Sequence, residues 1–149
     1  MDWVPKVYQD AHYGARERWN DWRIGVNIAG SASKPTNMYV YVKEYSWPGV
    51  IYAQVGAGGT NYGCETRNFA GYWRNNAQYV RYNRATMSSI SNQKKATIAA
   101  HEIGHTLGLA HVETNTCAGT VMVRNAYVLL RCETGPTFDD FFAAKGLYS

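Results

Sequence analysis

Residues 101 to 111 read HEIGHTLGLAH, and they hold three of the four histidines in a chain of 149 residues. On an α-helix His101 and His105 lie about 40° apart around the axis and about 6 Å apart along it, so their imidazoles can converge on one ion. Glu102 stands beside them, off the ligand direction, where a carboxylate reaches a water on the metal and not the metal itself. Were the helix to continue, His111 would sit about 120° around from His105 and about 9 Å further on, out of reach. The helix must therefore end, and Gly108 supplies the end, because glycine takes the left-handed conformation of a helix C-cap without a Cβ clash. Three neutral imidazoles leave a fourth position on Zn²⁺ open for water, which catalytic zinc requires and structural zinc lacks. A lone HExxH arises by chance, whereas five fixed positions in eleven with every chemical group intact do not readily do so.

The segment around this motif, NQKKATIAAHEIGHTLG, has the composition of a helix broken at Gly108. An amphipathic helix is expected from Pro5 to Trp22, with Val7, Tyr8, Ala11, Ala15, Trp19 and Trp22 at three- and four-residue steps. Strand character appears in RIGVNIAG, NMYVYVKEY, GVIYAQVG and QYVRYN, and a long loop is expected between Gly56 and Asn76. A last helix is signalled by TFDDFFAAKG, where Thr137 and Asp140 form a capping box and Gly146 is expected to stop it. No repeat or linker divides the chain. The expectation is an α+β fold in a single domain spanning residues 1–149, with a twisted mixed sheet of four to five strands and three helices.

Hydrophobic residues make up 46% of the chain and charged residues 17%, with twelve Tyr and five Trp, which fits a globular protein with an aromatic-rich core and surface. The net charge of +4 is scattered, with no basic run of four, so nucleic acid is not expected as a partner. No stretch approaches a membrane span, and no membrane partner is expected. Cys64, Cys117 and Cys132 suggest one bridge and one spare thiol, with three pairings formally possible.

HEIGHTLGLAH resembles the extended zinc signature of the metzincin metallopeptidases, H-E-x-x-H-x-x-G-x-x-H. Their second hallmark is a Met-turn, and the resemblance places Met122, in AGTVMVRN, as a hydrophobic floor under the three imidazoles. Val112 follows the third histidine where matrixins, adamalysins, astacins and serralysins usually carry a family-marking Ser, Asp, Glu or Pro. The H-x-x-G-L-x-H form is similar to matrixins, while small size and cysteines bracketing Met122 resemble the snapalysin-like peptidases, which use Asp as third ligand. The resemblance is thus to a minimal metzincin, snapalysin-like or matrixin-like, strongest over about residues 92 to 132.

This resemblance implies a secreted, monomeric zinc endopeptidase, with its signal or propeptide absent from this chain, in which Glu102 activates a zinc-bound water. One zinc is expected, held by His101, His105 and His111. A second, structural zinc is not expected, since His12 alone remains for it, and calcium is not expected, since no acidic loop is clustered. A peptide substrate would lie extended along a sheet edge, with GVIYAQVG as that edge. The segment after Met122 would form a wall in which Tyr127, Leu129 and Leu130 line a pocket, fixed by a Cys117–Cys132 disulfide that leaves Cys64 free. An oxyanion-binding tyrosine stands two residues after the methionine in some metzincins, whereas Tyr127 stands five after. The competing expectation is a catalytically weak cell-wall or carbohydrate binding module that keeps the zinc fold and uses its Tyr and Trp as stacking surfaces. An intact Glu102 argues against it.

Overall fold

A computed structural model of the chain describes residues 4–20, 28, 38–57 and 78–148. The architecture is α+β. Helix α1 spans Lys6–Asn20, and its first amides, those of Tyr8 and Gln9, bond the Pro5 carbonyl. Tyr8, Ala11, His12, Ala15 and Trp19 form its buried stripe, the three- and four-residue spacing expected of a helix that covers a core. Strands β1 (Met38–Lys43), β2 (Ala53–Ala57) and β3 (Gln78–Asn83) follow. They lie in the order β1-β3-β2, β3 pairing parallel with β1 and antiparallel with β2, so that Val80 faces Val40 on one side and Val55 on the other. Alternation does the rest: Val80 and Tyr82 are buried toward the helices, and Tyr79 and Arg81 take the other face.

Buried Asn83 closes the sheet's lower corner. Its side chain accepts from the Tyr45 amide, donates to the Tyr45 and Ile51 carbonyls, and caps the one-turn helix α2 (Arg84–Met87) through the Ala85 amide. Helix α3 (Asn92–Thr106) starts at Ser91, whose hydroxyl accepts from the Lys94 amide, and packs against both α1 and the sheet. Trp19 from α1, fully buried, donates its indole N–H to the Ala100 carbonyl of α3 at 3.0 Å and meets Phe141 edge-on. Helices α4 (Ala126–Cys132) and α5 (Phe138–Tyr148) complete the described fold.

Three expectations need correction. Three strands are described instead of four to five; RIGVNIAG lies outside the described residues apart from Ile28, as do the 58–77 part of the Gly-rich loop and Cys64. Five helices are present among the described residues instead of three, because α2 and α4 are too short for a period to register and are marked in the sequence only by their caps, Asn83 and Asn125. Gly146 does not stop α5, which continues to Tyr148; the glycine faces open space and is carried within the helix.

His12 is buried on α1 and shares a 2.7 Å hydrogen bond with the Tyr82 hydroxyl of β3. Burial first, then the Arg16 charge, holds its ring down to about 4. An unfolded His12 takes up its proton near pH 6.5, so from there down to about pH 4 the unfolded chain binds more protons and stability falls as pH falls. The expected loss from this group is about 3 kcal/mol. Chemical denaturation of zinc-saturated wild type and His12→Gln at pH 7, 5.5 and 4.5 measures it: the variant should show the shallower pH dependence, and equal slopes would rule the effect out.

Candidate metal centre

His101 and His105 project from one face of α3, with their Nε2 atoms 3.1 Å apart. The helix then ends as a Schellman motif: the Gly108 amide bonds the His105 carbonyl at 2.9 Å and the Leu109 amide bonds the Gly104 carbonyl at 3.0 Å. Gly108 sits at φ 98°, in the left-handed region where a Cβ would be strained. This reversal carries His111 back to the helix, its Nε2 3.2 Å from that of His101 and 3.0 Å from that of His105. The return path is itself anchored. The Val112 amide bonds the Met122 carbonyl at 2.8 Å, and the Arg124 amide bonds the Val112 carbonyl at 3.1 Å, a short parallel bridge beside the third histidine.

The hydrogen bonds decide what two of these three nitrogens are. His101 Nδ1 lies 2.7 Å from the Val121 carbonyl and His105 Nδ1 2.8 Å from the Leu109 carbonyl. A carbonyl only accepts, so each Nδ1 carries the proton and each Nε2 carries a lone pair. Protonation does not relieve the convergence. Burial first, then neighbouring His105, holds His101 down to about 3 and His111 to about 4, and burial also lowers His105. The His101 and His105 lone pairs, facing one another at 3.1 Å, repel unless a proton from His111 or a cation lies between them. Tetrahedral zinc with Zn–N near 2.0 to 2.1 Å places its nitrogens about 3.3 Å apart. The residues fit a metal, and among the described residues they are the one cluster that brings three such ligand atoms together.

Against α3 at Gly104 lies a turn whose importance the motif does not show. Met122 is buried, and its Sδ lies so close to Gly104 that a Cβ at that position would overlap it, while the same Cβ would meet Trp19 Cζ2 at 3.3 Å. Gly104, one residue before His105, is therefore a small-residue position dictated by the floor. Thr120, Val121 and Met122 are gripped by buried Asp140 of α5. Its carboxylate accepts from the Thr120 hydroxyl and from the Val121 amide at 2.8 Å, and Thr120 in turn accepts from the Met122 amide at 3.0 Å. Asp140 also accepts from the Thr137 amide, as a capping box requires. The sequence suggested the cap alone; its second duty depends on a contact across twenty residues. Val121 is thereby held at both ends, its amide by Asp140 and its carbonyl by His101.

Glu102 is buried, and burial pushes its carboxyl up to about 8. The Tyr82 phenol behind it is raised well above its ordinary value, by burial first and then by the Glu102 charge. Cys117 and Cys132 are bonded, with Cα atoms 5.6 Å apart, and tie the approach to the Met-turn to the last residue of α4. Of the three residues expected in a pocket, Tyr127 and Leu130 line a cleft beside α4, whereas Leu129 is 2% exposed and packs in the core. The reason is helical: the wall segment forms α4, which turns Leu129 inward with Val128.

Two histidines on a helix that ends in a glycine turn, a third brought back by that turn, and a methionine packed against the same helix form the arrangement of a metzincin-type metallopeptidase domain. Residues 2–149 match the family described as Matrixin, and the chain belongs to this family. No individual curated protein matches the chain significantly. The family extends the likeness from the stretch around the histidines to nearly the whole sequence, and it favours the matrixin-like alternative over the snapalysin-like one although Val112 lacks the usual family mark.

Asp140→Asn should loosen Val121 and with it the His101 ring, lowering zinc affinity about 10- to 100-fold, the range typical of groups that orient metal ligands. Gly104→Ala should push Met122 from under the triad and lower stability by about 1 to 3 kcal/mol. Competition with a chromogenic chelator and thermal denaturation measure the two; unchanged affinity in Asp140→Asn would show that the turn holds itself.

Proposed function

We propose that the chain is a zinc-dependent endopeptidase that cleaves peptide bonds with Glu102 as general base. The observation that carries this reading is the set of three neutral imidazoles with converging Nε2 atoms and one buried carboxyl group adjoining them. Zinc held by His101, His105 and His111 would supply Lewis acidity, bringing the pKa of a bound water near 7 and polarising the scissile carbonyl. Glu102 receives the proton during attack and passes it to the leaving amine, so no acyl-enzyme is needed. Burial raises the Glu102 carboxyl in the metal-free chain, and the charge of a zinc ion beside it would lower it again and leave a carboxylate able to take the proton. The Val121 and Leu109 carbonyls fix the His101 and His105 tautomers and so keep the ligand atoms aimed.

A peptide substrate is proposed to add as an extended strand along β2. Among the described strands β2 is an edge, and it packs against α3, which carries the histidines. Tyr127 and Leu130 then stand on the wall across the groove. One zinc per chain, no calcium and action as a secreted monomer complete the proposal; the Cys117–Cys132 disulfide supports an oxidising environment.

Glu102→Ala should keep zinc and fold but lose nearly all hydrolysis of a fluorogenic peptide, with more than a few per cent of turnover refuting the role. His111→Ala should lose metal by elemental analysis. Chelation should abolish activity and zinc restore it; a zinc-loaded chain that hydrolyses no peptide would leave the binding-module alternative standing.

A further inference from the structure

The cleft that Tyr127 and Leu130 line lies between the approach to β2, the first turns of α3 and the outer side of α4, and has a volume of about 650 Å³. Its walls carry two cations and no carboxylate. Lys94 of α3 and Arg131 of α4 stand on it together with Tyr52 and Ile90. The Arg131 guanidinium lies 5.4 Å from the centre of the Tyr127 ring, a stacking that holds the charge over the cleft wall. Neither cation belongs to an ion pair among the described residues, although four such pairs are formed elsewhere. Two unneutralised cations over an apolar trough favour an occupant that has both a carboxylate and an apolar surface.

Helical geometry relates this cleft to the metal centre. Lys94 precedes His101 by seven residues, which is two turns less about 20°, so both lie on one stripe of α3, about 10 Å apart along its axis. An extended peptide advances about 3.3 Å per residue, and a strand running beside α3 covers that distance in about three residues. We propose that the cleft is a substrate subsite selective for an acidic side chain about three residues from the scissile bond, on the side where α4 stands. The carboxylate meets Lys94 and Arg131 while the apolar neighbours rest on Tyr127 and Leu130. This inference rests on the peptidase reading and names the substrate class that reading leaves open.

The test uses the zinc-loaded protein and a set of internally quenched peptides in which Glu, Gln or Lys is placed in turn two, three and four residues to either side of the cleaved bond. The wild type should show the highest kcat/KM for Glu at one position near three on one side, by about fivefold over Lys, with the preference fading as salt rises. Lys94→Glu with Arg131→Glu should invert that preference, and the single Lys94→Gln and Arg131→Gln variants should each reduce it. Zinc content equal to wild type shows that each variant is folded. Cleavage without charge preference, or a preference that survives charge reversal, overturns the subsite while leaving the peptidase reading intact. No cleavage of any peptide by zinc-loaded wild type overturns both.

Discussion

The rest of the structure depends on three imidazole Nε2 atoms brought within 3.2 Å of one another, two of which, on His101 and His105, carry lone pairs by their tautomers. That convergence is unfavourable in the chain alone. Two of the rings are fixed from behind, His101 by the Val121 carbonyl and His105 by the Leu109 carbonyl, while the backbone carrying His111 is pinned by the bridge between Val112 and the Met-turn. A cation turns the same arrangement from repulsive to strongly attractive, so metal binding and folding are coupled through the geometry of three side chains. Burial serves this end by holding the rings neutral at the pH where a metal must compete with protons.

Support for the triad comes from distant parts of the chain. Helix α1 contributes Trp19, which bonds the Ala100 carbonyl and borders the space in which Gly104 and Met122 meet. Helix α5 contributes Asp140, whose carboxylate organises Thr120 and Val121. The disulfide joins α4 to the segment leading into the same turn, closing a loop of fifteen residues' separation and stabilising the fold by about 3 kcal/mol in the chain-entropy picture. Helices α1 and α5 and the disulfide thus all bear on the segment around Met122 that packs against α3 and bonds the His101 ring.

Much of the centre was legible in the sequence because its parts are local. His101, His105, Glu102 and Gly108 share one helix and its cap, so spacing alone gives their relative directions, and the positive φ of Gly108 follows from where His111 must go. What lay hidden depends on tertiary contact. Gly104 reads as an ordinary filler inside the motif until Met122 is placed against it. Asp140 reads as a helix cap until its other oxygen is seen on Thr120. Leu129 reads as wall because a strand-like or irregular segment alternates its side chains, whereas α4 turns that residue into the core. Short helices α2 and α4 left no period to detect, and the sheet's order, with β2 at an edge, is set by a crossover that strand propensity does not encode.

The central claim is that these three Nε2 atoms hold a single zinc with one position open. X-ray absorption at the zinc edge on the metal-loaded protein, paired with elemental analysis, tests it most directly. The account predicts one zinc per chain, with three nitrogen scatterers of imidazole type near 2.0 to 2.1 Å and at least one further light-atom ligand that exchanges with added anions. A sulfur ligand near 2.3 Å, or a fourth histidine closing the shell, would contradict it and make the metal structural.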